Sequence, residues 1–259
     1  MHVATKRIVV AFLLLALTLG CGAHRLKQAQ DSYNQAARIE ARASLEEEAS
    51  TGDPLQGDAQ ALRNYRVALA LTDEALDRYA GGLRKDRLYG TALMLKALCE
   101  WRIAALDRDA DPDQVQAVVA EIEHRVRTEG IVLGTRDRVL LKALPGLREH
   151  ALGLHQREPE KAGALFESAL DTFERALKEG NPPADHPVRA YIRLAQMRTV
   201  RAWRCADLPN RPREAAARTQ WYRAWKDRYE TYKKRIAPLM EANPGLKARV
   251  REMDKDFGN

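Results

Sequence analysis

The chain has 259 residues, 45% apolar and 31% charged, with 43 Lys plus Arg against 36 Asp plus Glu, 15 Gly, 11 Pro and 3 Cys. That composition excludes a collagenous, disulfide-dense or wholly disordered protein. One apolar run, Ile8 to Leu19, stands near the N-terminus, and no other stretch approaches the roughly 18 uncharged residues of a spanning helix, which excludes a multi-pass transporter.

Lys6 and Arg7, the apolar run and then the small residue Gly20 read as a secretory signal peptide over residues 1–20. Leu17-Thr18-Leu19-Gly20-Cys21 resembles the lipobox of bacterial lipoproteins, with Thr18 in place of the usual Leu. The resemblance implies cleavage after Gly20 and acylation of Cys21, palmitate included. A lipidated tether over 21–25 would then lead into a domain over 26–259. Gly22 rather than Asp after the cysteine implies the periplasmic face of the outer membrane rather than the inner membrane. Several acyl chains on one residue would anchor stably, since each buried methylene contributes about 0.8 kcal/mol and one chain alone is marginal. Removing residues 1–20 leaves 239 residues of net charge +5, and Arg211 to Asn259 alone carries +6.

Beyond Arg25 nearly every segment repeats apolar residues at three- and four-residue spacing, which predicts an all-α protein. A first helix is expected from about Leu26 to Ala43 and a loop from Ser44 to Asp58. In the second helix Leu62, Tyr65, Leu69, Thr72, Leu76, Tyr79 and Leu83 form a heptad-like seam suited to an antiparallel neighbour, closed by Gly81-Gly82. The third, about Asp86 to Leu106, carries Leu88, Ala92, Leu95, Cys99, Ile103 and Leu106 on one face. The fourth carries Val115, Val118, Val119, Ile122 and Val126, and Gly130 to Thr135 reads as a loop.

Arg136 to Gln156 is helical in pattern but contains Pro145-Gly146, which should kink or split it. Pro159 opens a helix with Leu165, Phe166, Ala169, Leu170, Phe173, Ala176 and Leu177 on its apolar face, ended by Gly180-Asn181-Pro182-Pro183. A helix from Pro187 to Cys205, a linker at Pro209 and Pro212, a long helix over 213–237 and a short terminal one complete about nine. Antiparallel pairs of such helices make either an irregular α-solenoid or a compact helical bundle.

Ala169, Phe173 and Ala176, with Pro182 after them, resemble the second helix of a tetratricopeptide repeat. Ala68, Thr72 and Ala75 echo the spacing, and Leu95 to Trp101 and Leu194 to Met197 resemble a degenerate first helix. The pair starts near 87, 135 and 186 lie about 50 residues apart rather than the 34 of that family. The chain is thus similar to a divergent tetratricopeptide-like (TPR-like) lipoprotein, which implies grooves between helix pairs that hold peptides or partner proteins.

Six His are present, and only His150 and His155 are near each other; five residues apart on a helix, they point to different faces, so no metal site is expected. Glu167-Ser168 is similar to the Glu-Ser pair of lytic transglycosylases but lacks the Gly- and Gln-bearing context, and suits the polar side of its helix. No nucleophile elbow, phosphate loop or paired-Cys motif occurs, so neither catalytic residues nor a cofactor are expected. Cys99 and Cys205 lie on apolar stripes, where Cys acts as a small hydrophobe, although an oxidising compartment permits a bridge.

In the last long helix Trp221, Trp225, Tyr229, Tyr232 and Ile236 form an aromatic stripe flanked by Arg228, Lys233 and other basic residues. It either caps the core or contacts anionic headgroups or a partner, with Trp221, Trp225, Tyr229, Tyr232, Arg228 and Lys233 as the contact candidates. Export argues against nucleic acid as a partner despite the net charge of +7. The expectation is a lipid-anchored, non-enzymatic adaptor or scaffold that contacts the membrane through its anchor and binds other envelope proteins. The alternatives are a cell-wall hydrolase relative, which would need two carboxylates converging in a cleft, and a pilotin-like escort of a secretion or pilus subunit.

Overall fold

A computed structural model describes residues 22–40, 59–241 and 243–257, apart from the side chains of residues 252 and 255; the loop expected over 44–58 lies outside them. Within these residues every regular element is helical. The first helix, α1 (residues 22–40), buries small or slim residues, Gly22, Leu26, Ala29 and Ala36, against α2 (Ala59–Arg78). The two run antiparallel: Gly22 lies against Tyr79 and Leu83, Arg25 pairs with Glu74 at 3.4 Å, and the Tyr33 and Tyr65 rings meet edge to face at 5.2 Å. Residues 22–25, expected as tether, are therefore the first turn of α1. In α2 the deepest residues are Tyr65 and the small Ala61, Ala68, Thr72 and Ala75, with Leu62 and Leu69 of the expected seam half-buried beside them.

The Gly81-Gly82 break becomes a short helix, α3 (Ala80–Lys85), and Arg87 adopts the left-handed conformation (φ 59°) that turns the chain into α4 (Tyr89–Leu106). Here the sequence reading is corrected, because α4 is buried on nearly all sides rather than along one stripe. It is enclosed by α2, by α5 (Asp113–Glu129) and by α6 (Thr135–His155). The β-branched stripe of α5 is helical as expected, and Gly130 closes it at φ 64°.

Of the kink or split expected at Pro145, the split does not occur, and α6 continues through it to His155. Its partner α7 (Pro159–Gly180) packs along its whole length in one register: Val139 meets Gly180, Gly146 meets Phe173, and Gly153 meets Phe166. Gly146 and Gly153 admit these two rings, both fully buried, so the backbones approach closely and tertiary packing offsets the hydrogen bond that the proline cannot donate.

The remaining helices extend the same scheme. α8 (Pro187–Ala206) runs antiparallel to α7, a 3₁₀ turn (Leu208–Asn210) follows, and α9 (Ala215–Met240) folds back on α8, continuing through Pro238. α10 (Pro244–Phe257) returns antiparallel to α9. Each helix thus packs on the next as a hairpin, while α4, α6, α8 and α10 lie side by side in parallel, joined by Thr91 to Asp137, His150 to Thr199 and Arg204 to the Asp256 carbonyl. The starts of α4, α6 and α8 at residues 89, 135 and 187 reproduce the roughly 50-residue spacing seen in the sequence.

This topology gives the molecule two distinct edges. One carries Gly22, the connections 79–88, 130–134 and 181–186, the end of α9 and the start of α10. The other carries the connections 107–112, 156–158 and 207–214.

Candidate functional site

Side chains of α2, α4 and α8 converge on one carboxylate at the end of α1, with α10 beside it. Glu40 accepts from the guanidinium of Arg102 and, at 2.9 Å, from the Tyr65 hydroxyl, while Arg198 stands 3.7 Å away. Arg249 of α10 donates to the Ala37 carbonyl at 3.3 Å. Arg102 is only 5% exposed and lies over the Trp101 ring at 4.5 Å. Burial alone would raise the Glu40 pKa, but the charges of Arg102 and Arg198 and the bonds from Arg102 and Tyr65 outweigh it and hold the carboxyl below its usual range. Burial and the neighbouring Arg198 depress the guanidinium of Arg249.

His150 sits beside this cluster, 2.9 Å from the Thr199 hydroxyl. Because that hydroxyl donates its own proton to the Ala195 carbonyl, His150 Nδ1 is the donor and the ring is the neutral Nδ1–H tautomer. Burial, then the charges of Arg102 and Arg198, lower its pKa to about 3. The inner faces thus close on one another through a buried ionic network.

The aromatic stripe of α9 faces inward. Trp225 and Tyr229 are buried and Trp221 and Tyr232 half-buried, in one cluster with Met197, Val200, Val250 and Phe257. Trp221 and Trp225 both donate to Asp207 Oδ2, at 2.7 and 3.1 Å. Tyr229 stacks on Phe257 at 4.1 Å and bonds Asp254 at 3.1 Å. Lys233 pairs with Asp254 at 2.8 Å, and Arg228 lies over the Trp203 ring at 4.0 Å. In this arrangement the six contact candidates of α9 hold the C-terminal helices together.

The other sequence candidates are dispersed. His155 bonds the Ala104 carbonyl at 2.7 Å, far from the partner of His150. Glu167 is exposed, whereas the neighbouring Glu149 accepts from Ser168 and Thr172. Cys99 is buried on α4, is not bridged to Cys205, and has its thiol pKa pushed up by burial. Gly20 and Cys21 lie outside the described residues.

Sequence reasoning missed two features. The pairing of Glu40 with Arg102 carries no local signal, since 62 positions separate the partners. The second is the connection between α5 and α6. There Val132 is 85% exposed, the most exposed large apolar side chain among the described residues, and it borders a depression of about 480 Å³ lined by Val126, Ile131, Leu133 and Leu141 together with Glu123, Arg138 and Lys142. The signal was the apolar triplet Ile131-Val132-Leu133 between two glycines, where a turn would ordinarily be polar. No described helix is long and apolar enough to cross a membrane, and no group of three or more His, Cys, Asp or Glu among the described residues is arranged to hold a metal. Set against known proteins, the chain matches no family model, no curated protein and no solved structure.

Proposed function

We propose that this chain is a lipoprotein of the bacterial cell envelope, anchored through acylated Cys21 to the periplasmic face of the outer membrane, and that it works as a TPR-like adaptor or assembly scaffold rather than as an enzyme. The observation that carries the reading is the position of Gly22. The residue after the lipobox cysteine is already packed between Tyr79 and Leu83, so an acyl group on Cys21 would hold the helical body directly by one edge. Stacked helix pairs offer partners a rigid, extended outer surface, and the step from this architecture to adaptor function is an analogy. Against hydrolysis stands the environment of the carboxylates Glu40 and Glu174. Glu40 is enclosed by Arg102 and Arg198, and Glu174 by Arg193, Arg235 and Gln196, which favours tied, ionised groups over an acid and base facing a cleft.

The test is expression of the full-length protein beside Cys21→Ala in a bacterial host, with metabolic labelling by an alkyne fatty acid, membrane fractionation and in-cell crosslinking. Label on the wild type alone, loss of outer-membrane location in the variant and crosslinks to defined envelope proteins are expected. Unchanged processing and location in Cys21→Ala would overturn the anchor and with it the envelope assignment.

A further inference from the structure

We infer that the edge bearing Gly22 is itself a lipid-contacting surface, with Val132 entering the interface of an anionic bilayer and a basic collar around it meeting the headgroups, a placement that deepens the anchored reading and rests on it. Because α1 and the parallel helices α4 and α6 all begin at this edge, the path from the anchor to Val132 is short and continuous. Gly22 packs on Leu83, the adjoining Arg84 pairs with Glu129 at 2.6 Å, and Gly130 then leads into Ile131 and Val132. Leu133 and Ile131 are pinned beside Gly90 at the start of α4, so the loop is held with Val132 pointing outward.

Charge follows the same geometry. Across residues 81–87 and 127–142, Lys85, Arg87, Arg127, Arg136 and Arg138 are exposed, as is Lys142, which pairs with Glu179 at 2.6 Å. The exposed acids of these segments are Asp86 and Glu129, and Glu129 is already bound by Arg84 and Arg125. At the other end of the same α4–α5 hairpin the balance shifts toward acid: Asp107 pairs with Arg66 and Asp113 with Arg148, while Asp109 and Asp111 stand exposed beside Arg108. A hairpin more basic at its anchored end than at its far one is oriented by a negative membrane, each basic residue near the surface strengthening the contact about fivefold. An exposed valine beside a mostly apolar depression, whose charged lining is Arg138 and Lys142 against Glu123, suits the boundary between headgroups and acyl chains.

The test uses the full chain, purified from bacterial membranes in a Cys205→Ser background and reconstituted into vesicles of phosphatidylcholine with or without phosphatidylglycerol. An environment-sensitive fluorophore is placed at Val132→Cys or, for comparison, at Asp109→Cys on the far edge, and quenching by brominated lipids is read. The expected result is a blue-shifted, lipid-quenched label at 132 only, dependent on phosphatidylglycerol, weakened by salt and reduced severalfold by Arg136→Glu/Arg138→Glu. Mass analysis of the N-terminal peptide reports acylation separately. An unacylated protein whose label at 132 is still quenched by anionic lipid keeps the lipid-contacting edge and loses the anchor. An acylated, vesicle-bound protein whose label at 132 is quenched no more than that at 109, or equally in uncharged vesicles, overturns the proposal and leaves the edge to a protein partner. A protein that neither binds vesicles nor shows quenching overturns both.

Discussion

Glu40, at the end of the first described helix, is bonded to Arg102 in the C-terminal half of α4, and both are withdrawn from solvent. The pair joins the start of the chain to its middle, and Arg198 and Arg249 extend the link to α8 and α10. A buried ion pair adds little net stability relative to an apolar pair but is costly to break from one side. Arg102→Met should therefore cost about 3–5 kcal/mol in urea unfolding, because the Glu40 carboxylate stays buried without its main partner. The double variant Glu40→Gln/Arg102→Met should recover a large part of that loss. Strictly additive effects would mean that the two side chains do not act as a pair.

His150 sets the response to acid. Its folded pKa of about 3 lies below the unfolded value near 6.5, so the folded state holds the neutral ring while the unfolded chain takes up a proton. The stabilisation is complete above pH 6.5 and is lost as pH falls toward 3, by about 1.4 kcal/mol per pH unit. Glu40 and Glu174, both depressed, add loss in the same direction once the medium enters the carboxylate range. The wild type should begin to lose stability just below pH 6.5, whereas His150→Gln should stay flat until the carboxylates titrate. Equal slopes for the two proteins between pH 6 and 5, measured by urea midpoints, would remove His150 from this account.

Two helical glycines should respond in opposite ways to alanine. A methyl at Gly153 would stand 2.6 Å from the Phe166 ring, which is itself fully buried. The overpacking penalty of about 1–3 kcal/mol exceeds the helix-propensity gain of about 1 kcal/mol, so Gly153→Ala should destabilise. Gly81 in α3 has no atom within 4 Å of that position, and Gly81→Ala should stabilise by about 0.5–1 kcal/mol. Thermal midpoints moving in the same direction for both variants would show that the α6–α7 contact has room to adjust.

What was legible in the sequence followed from local pattern. Valines at helical spacing placed α5, Pro159 and Asn181 bracketed α7, and the 3,4 seam found α2. What failed depended on neighbours. Pro145 leaves α6 intact because Phe173 and Phe166 lock α7 along it, and α4 shows more than one buried face because three helices enclose it. At the candidate site, the aromatic stripe of α9 was visible as a pattern, but whether it faced solvent turned on Asp207, Asp254 and Phe257, which lie 14 to 28 residues from their partners. The Glu40–Arg102 pair was out of reach for the same reason.

Asp207 is the point on which the docking of α9 turns. Its Oδ2 accepts from the indoles of Trp221 and Trp225 while its Oδ1 accepts from Asn210, so one carboxylate joins the end of α8, the 3₁₀ turn and the first half of α9. Asp207→Leu would strand two indole N–H groups, of which that of Trp225 belongs to a side chain only 7% exposed. At about 1–3 kcal/mol for each donor left without a partner, the loss should be about 2–4 kcal/mol once the more exposed Trp221 recovers a bond to water. Asp207→Asn keeps an accepting oxygen and should cost about half as much. The loosening should also appear as a red shift of tryptophan emission before global unfolding, since Trp203, Trp221 and Trp225 form one contiguous cluster of rings. A stable Asp207→Leu protein with unshifted emission would mean that apolar packing alone seats α9.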